Sequence, residues 1–161
     1  MLDVVLILVA KPTEEIQQFR ADPWPFQRTF QTPLKDLQRF VLTLLAPFAL
    51  QKGALVTDQI VFEPENLLKL MARHSISVEN IWQFTCEAEG AQCIAELIEA
   101  ALGDWVDFCF VPTPASFAIY ADHDEYVTFY AGEESQIAMI ASRLERAGFS
   151  PVADYVRPYV G

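Results

Sequence analysis

The stretch WVDFCFVPTPASFAIYADHDEYVTFYA, residues 105–131, decides the fold, because apolar and polar side chains alternate along it in three runs. Alternation with a period of two is typical of a strand that buries one face. Pro112 and Pro114 separate the first two runs, and Asp122 and Asp124 stand between the second and the third. The sequence therefore predicts an antiparallel β-meander with strands near residues 105–111, 116–121 and 125–131.

The same alternation predicts the register between the second and third strands. A three-residue loop at residues 122–124 would pair Ile119 with Val127 and Phe117 with Phe129. Aliphatic and phenylalanine side chains then share one face, whereas a slip of one residue would place tyrosines among them.

Amphipathic helices are predicted on both sides of the meander in the chain. In the last helix, Ile137, Ile140, Ala141 and Leu144 recur at helical spacing, and Gly148 is placed to end it. Further helices are predicted over residues 13–20, 33–48, 64–74 and 90–102. Helices before and after an antiparallel meander indicate an α+β fold of two layers.

The chain is most simply a single domain, residues 1–161, because 52% of its residues are apolar and can form one core. We expect a near-neutral, mainly helical part over residues 1–57 and an acidic α/β part over residues 58–161. Weaker strands are predicted at residues 3–9, 57–62, 81–87 and 152–156. After Asp3 the first of these is an apolar run, typical of a buried strand. The apolar run from Val41 to Leu50 is too short to span a membrane.

Basic residues are missing from a long internal segment. The 69 residues from His74 to Ser142 contain no Lys or Arg and 12 Asp or Glu, whereas residues 1–57 contain six basic and five acidic residues. A field of one sign attracts cationic partners and repels nucleic acid. We therefore expect a basic protein as partner, and neither nucleic acid nor a membrane. The sequence makes no prediction of oligomeric state.

The face of the meander opposite the phenylalanines is the predicted partner-binding surface. Tyr and Trp dominate the energetics of interfaces, and carboxylates around them favour Lys and Arg. The predicted contact residues are Trp105, Asp107, Tyr120, Asp122, Asp124, Glu125, Tyr126 and Tyr130. In the alternative interpretation a helix covers this face, and its aromatic rings form a second layer of core.

Histidine and cysteine occur in no pattern typical of catalysis or metal binding. His123 lies between two aspartates, but adjacent side chains in a turn diverge and no second histidine is near in sequence. Cys86, Cys93 and Cys109 match no zinc or redox spacing and are expected to be buried hydrophobic residues.

The carboxylates and glycines are equally uninformative about chemistry. The pairs Asp104/Asp107 and Glu96/Glu99 are expected on a solvated surface, and no glycine-rich phosphate loop is present. The sequence therefore predicts no catalytic residue, no metal and no cofactor.

Three functions fit these observations. The first is a small acidic cytoplasmic inhibitor or immunity-type protein that masks a basic surface of its partner, for example a nuclease active site. The second is a general protein-interaction module from a host with an acidic proteome. The third is an enzyme or small-ligand binder, which requires a deep cavity containing a buried carboxylate with a raised pKa. Solvent access to Tyr120 and Tyr126 distinguishes the open tyrosine face, which the first function needs, from a face covered by a helix.

Overall fold

The computed structural model describes residues 5–158 of the chain. Its helices and its antiparallel sheet form an α+β fold, as predicted. The strands are β1 (Val5–Val9), β2 (Phe26–Gln31), β3 (Lys52–Gln59), β4 (Thr85–Glu89), β5 (Asp107–Thr113), β6 (Ala118–Ala121) and β7 (Tyr126–Ala131). The α-helices are α1 (Glu14–Ala21), α2 (Leu37–Leu45), α3 (Glu65–Arg73), α4 (Ala91–Gly103) and α5 (Glu134–Arg146). Short 3-10 turns, Leu34–Asp36 and Ala46–Phe48, flank α2.

The seven strands form one sheet in the order β1-β4-β3-β5-β6-β7-β2, and each neighbouring pair is antiparallel. The predicted meander is therefore present as β5-β6-β7. One face of the sheet forms a large core with α2 to α5, and its meander side chains are fully buried: Phe108, Phe110, Phe117, Ile119, Val127 and Phe129. Helix α1 packs on the opposite face over a smaller core and adds a partial third layer.

The register within the meander differs from the prediction by two residues. Ile119 lies opposite Phe129, and Ala121 lies opposite Val127. The loop begins one residue later than expected, since the Asp122 N–H still donates to the Tyr126 carbonyl at 3.1 Å. The Asp122 carboxylate accepts the Asp124 backbone N–H at 2.8 Å within the turn. Glu125 then closes the three-residue loop in a left-handed conformation, with φ 74°. Since side chains alternate with a period of two, a shift of two leaves every side chain on its predicted face.

The first 57 residues supply β1, β2 and most of β3 beside their helices. Strand β2 was not predicted because its sequence, FQRTFQ, does not alternate regularly. Strand β3 lies between β4 and β5, so the near-neutral and acidic parts of the chain share one sheet.

Two weaker strands are displaced and one is absent. The strand expected at residues 57–62 is β3, and the one expected at 81–87 is β4. Residues 152–156 form no strand, and the nearest pairing is an isolated bridge between Phe30 and Pro151.

The first strand is an edge strand, which corrects its assignment as a buried one. Among the described residues β1 pairs with β4 alone, and Ile7 is 44% exposed. Residues 3 and 4 of the predicted strand lie outside the described part of the chain. An apolar run without alternation predicts burial on both faces, but it does not reveal where in the sheet the strand lies.

The last helix ends as the sequence predicts. Gly148 adopts a left-handed conformation (φ 93°), and its N–H bonds to the Glu145 carbonyl while the Phe149 N–H bonds to the Leu144 carbonyl. This is the Schellman arrangement, in which a glycine avoids the strain that a Cβ would bring.

Replacing Gly53 with alanine should destabilise the fold by about 1–3 kcal/mol, the usual cost of an overpacked core. A Cβ at this position would lie 2.4 Å from Cζ of Phe110, a ring that is fully buried. The midpoint of urea denaturation measures the effect. Gly132→Ala is the matched control, because a Cβ there meets its nearest atom at an ordinary 3.5 Å. Phe110→Leu should cost less in the Gly53→Ala background than alone, and strict additivity would contradict the contact.

Candidate partner-binding site

The predicted surface residues share one face of the sheet, but that face is not open. Asp107, Tyr120, Tyr126 and Tyr130 occupy alternate positions to the buried phenylalanines, as the pairing of β5, β6 and β7 requires. Helix α1 covers one part of this face, and the C-terminal segment, residues 152–158, covers another.

Tyr130 is buried beneath α1 and is 1% exposed, so its assignment as a partner-binding residue was wrong. Its ring packs edge-on against Phe19 of α1, with centroids 5.1 Å apart. Phe19 also contacts Trp24, at the same centroid distance. Phe19 of α1 and Trp24, which follows the helix, make Tyr130 part of a second core, which is the alternative that the sequence left open.

The Tyr130 hydroxyl is buried without a hydrogen-bond partner, and burial raises the pKa of this tyrosine to about 12. Tyr130→Phe should therefore stabilise the protein, by about 1 kcal/mol, because the cost of desolvating the hydroxyl disappears. Thermal denaturation checks the direction. Tyr126→Phe, at a half-buried position, is the control and should leave the midpoint unchanged. A lower midpoint for Tyr130→Phe would show that the hydroxyl has a partner in solution.

A cation from outside the meander neutralises one carboxylate of this face, Asp122. Arg157 Nη1 lies 2.6 Å from Asp122 Oδ2, and Arg157 Nε donates to Thr128 Oγ1 at 2.9 Å. The side chains of Arg157 and Asp122 are only 10% and 13% exposed. The guanidinium also lies 5.0 Å from the centroid of the Tyr120 ring. The predicted anionic surface at Asp122 and Tyr120 is therefore already occupied by the protein's own C-terminal segment.

The same segment contributes an aromatic contact. Tyr155 packs against Tyr126 with ring centroids 5.0 Å apart. With Arg157 over Tyr120, both Tyr120 and Tyr126 are half-buried. Burial, together with the nearby Asp58 carboxylate, raises the pKa of Tyr120.

The remaining predicted residues do not complete a surface either. Trp105 lies in the turn between α4 and β5, with φ 56°, and is half-buried. Asp107 is buried and accepts the backbone N–H of His123 at 2.7 Å and contacts its Nδ1 at 2.8 Å, which raises the pKa of His123. Only Asp124 and Glu125 of the eight are exposed. The eight residues thus do not form one open docking surface.

Asp104 and Asp107 are buried, which corrects their placement on a solvated surface. The Asp104 carboxylate accepts the backbone N–H groups of Asn66 and Leu67 at 3.0 and 2.8 Å and the Asn66 side-chain amide at 2.8 Å. It therefore caps α3 from the end of α4. Burial raises the pKa of Asp104, and the three donors oppose that rise. This carboxylate stabilises a helix end and accepts three hydrogen bonds there.

The three cysteines are buried and free, in agreement with the sequence interpretation. Burial raises the pKa of Cys93 to about 11 and that of Cys109 to about 12, and it also raises the pKa of Cys86. Since the thiolate is the nucleophile and the metal ligand, these thiols are inert near neutral pH. Among the residues that the structure describes, no three His, Cys, Asp or Glu side chains are grouped so as to hold a metal ion.

An apolar groove of about 610 Å³ lies between α2 and α4 on the outside of the helical layer. Leu42, Leu45 and Ala95 contribute to its floor, and Leu42 is 53% exposed. Glu96 and Glu99 of α4 line its rim, and no Lys or Arg lines it. The groove is therefore an apolar surface bordered by negative charge.

The sequence contained a partial signal for this groove. The apolar residues of α2 form a stripe that is wider than the buried face of one helix requires. Val41 and Leu44, in the inner part of this stripe, are buried. Leu42 lies outside that stripe. Its exposure follows from the packing of α2 on α4, which periodicity alone does not determine.

A second, polar cleft lies where β1, β3 and β4 meet the loop before β4. It measures about 680 Å³, and Arg20 and Asp58 form an ion pair in its wall. Both side chains are about a third exposed. The buried carboxylate, Asp104, does not line this cleft.

Comparison with known proteins gives no relative: no family model matches the chain, and neither a curated protein nor a solved structure does. Within residues 5–158, none of the helices combines the length and apolar content that crossing a bilayer requires.

Proposed function

We propose that this protein is a protein-interaction module that binds an amphipathic, basic helical segment of its partner in the groove between α2 and α4. The observation that carries the proposal is the exposed apolar floor at Leu42, set beside Glu96 and Glu99 without a cation among the lining residues. Amphipathic helices bind in such grooves through residues spaced three or four apart.

The charge of the groove favours a basic partner. Glu96 and Glu99 belong to the segment from His74 to Ser142 that lacks Lys and Arg. Arg73 approaches Glu96 at 3.8 Å, but its side chain is well exposed, so the pairing is weak. Carboxylates beside an apolar floor attract lysine or arginine at the edge of a docked helix and increase the association rate.

The inhibitor hypothesis loses the surface on which it depended. Masking a basic active site through the meander requires open tyrosines and free carboxylates, whereas α1 covers Tyr130 and Arg157 neutralises Asp122. A basic partner remains the proposal, with the groove as its binding site.

The enzyme or small-ligand hypothesis lacks its expected feature. Such a function expects a carboxylate with a raised pKa inside a deep cavity, but Asp104 lines neither the groove nor the polar cleft and already accepts three hydrogen bonds from the first turn of α3. In the polar cleft, Asp58 is already paired with Arg20. Neither carboxylate is available as a general base.

A synthetic amphipathic helical peptide tests the groove directly, with leucines on one face and lysines on the other. We expect it to bind more tightly than a matched peptide in which glutamate replaces lysine, and its affinity should fall as salt rises. Fluorescence anisotropy measures both. Equal binding of the two peptides would contradict the proposal.

Variants of the protein locate the binding site. Leu42→Asn should weaken binding about tenfold, since about 1.4 kcal/mol of apolar contact is lost. Leu34→Asn is the matched control, because Leu34 is a similarly exposed leucine that does not line the groove. Glu96→Gln combined with Glu99→Gln should reduce the salt dependence. If Leu42→Asn binds as the wild type does, the groove is not the site.

A further inference from the structure

The two edges of the sheet differ in how they are covered. At the β2 edge, Gln31 N–H donates to the Ser150 carbonyl at 3.0 Å and Val152 N–H donates to the Thr29 carbonyl at 2.9 Å. The C-terminal segment therefore satisfies backbone groups of β2 at Thr29 and Gln31. This is one of the ways in which proteins protect an edge strand from pairing with another chain.

The β1 edge has no such cover among residues 5–158. Strand β1 pairs with β4 on one side, and the other contact described for its backbone is a long one, 3.6 Å, from the Cys93 thiol to the Val5 carbonyl. The strand, VLILV, contains no charged residue and no proline. An exposed edge with this composition is a template for a further strand.

Apolar side chains occupy both faces of β1. Leu6 and Leu8 contact the large core under α2 to α5, whereas Val5, Ile7 and Val9 point to the opposite face. An edge strand of a monomer usually carries polar side chains on its solvated face. Ile7 is nevertheless 44% exposed. The apolar composition of β1 is thus typical of a strand that is buried when another protein surface packs against it.

The sequence of β1, VLILV, reads the same in both directions. A second copy of β1 therefore matches it position by position in an antiparallel pair. In an antiparallel pair centred on Ile7, Val5 lies opposite Val9, Leu6 opposite Leu8, and Ile7 opposite its own copy. In a two-fold interface residue i meets j and j meets i, so with this sequence every cross-strand pair is apolar. We infer that two copies of this chain associate through β1, by antiparallel pairing about a two-fold axis at Ile7, into one continuous sheet.

Charge weakens this association without preventing it. Glu87 lies beside Ile7 on β4, so the two Glu87 side chains of a dimer would be three strand spacings apart. That separation is roughly 14 Å, beyond the screening length of about 8 Å at physiological salt. Each chain carries a formal charge of −11. Added salt should therefore strengthen the dimer, which is opposite to its effect on a basic partner in the groove.

The dimer should be weak, because a pair of five-residue strands buries less than a standard interface. Sedimentation velocity between about 1 µM and about 1 mM covers the dissociation range of such contacts. We expect a concentration-dependent dimer for the wild type and a monomer for Ile7→Lys, because two lysines would face each other across the axis. Leu34→Lys, another exposed position, should dimerise as the wild type does. A wild type that stays monomeric throughout, or a dimer that survives Ile7→Lys, would overturn the inference.

Cross-linking tests the geometry independently of the stability of Ile7→Lys. In the proposed pair the two Ile7 Cα atoms lie within disulfide reach, so Ile7→Cys should form a covalent dimer under mild oxidation. The native cysteines are buried and do not compete. Phe26→Cys is the control, because Phe26 is exposed on β2 at the opposite edge. Similar cross-linking rates for the two variants would overturn the assignment to β1.

Discussion

Replacing Arg157 with methionine should destabilise the protein by about 3 kcal/mol, because Asp122 would be left as a nearly buried carboxylate without its cation. Arg157 Nη1 contacts Asp122 at 2.6 Å, and both side chains are at most 13% exposed. The variant also loses the hydrogen bond to Thr128 Oγ1. The free energy of unfolding in urea measures the loss.

Arg28→Met is the matched control for this prediction. Arg28 lies on β2 close to the same segment, but it is exposed, and its replacement should change stability by less than about 0.5 kcal/mol. Should Arg157→Met unfold at the wild-type urea concentration, the C-terminal segment would not be docked in solution. The acidic face around Tyr120 would then be open, and the masking hypothesis would regain its surface.

Asp104→Ala should cost about 3 kcal/mol, since it removes the acceptor for two backbone N–H groups at the start of α3 and for the Asn66 amide. Asp104→Asn keeps one side-chain oxygen and should cost about 1 kcal/mol. Hydrogen exchange should accelerate at the amides of Asn66 and Leu67 before it does so in the sheet.

The control for Asp104 is Asp124→Ala, which removes an exposed loop carboxylate and should change stability by less than about 0.5 kcal/mol. An Asp104→Ala variant as stable as Asp124→Ala would mean that water replaces the carboxylate at α3. The capping role would then be wrong.

The local amino-acid pattern was sufficient to predict features that depend on a single strand or helix. The period-two alternation in β5, β6 and β7 placed every phenylalanine on the correct face, although the register was displaced by two residues. The error lies in the turn, where Asp122 still pairs with Tyr126 and its carboxylate accepts the Asp124 N–H. Such a bond depends on side-chain geometry in the turn and is not visible in apolar periodicity.

The candidate site was harder to predict because it depends on residues far apart in the chain. Arg157 lies outside the acidic segment, and its side chain reaches Asp122, 35 residues away. Helix α1 covers Tyr130, although the two are more than a hundred residues apart in the sequence. The groove at Leu42 requires α2 and α4 to pack side by side, with β3, α3 and β4 between them in the chain.

The sequence by itself determined the helices, the meander and the face of each of its side chains, because periodicity and end signals act within one element. It also determined the acidic charge, which is a matter of composition. The tertiary structure alone decided which surfaces stay open. Coverage of the meander by α1 and Arg157, exposure of Leu42 and the edge position of β1 all arise from contacts between distant segments, and local amino-acid pattern carries no information about those contacts.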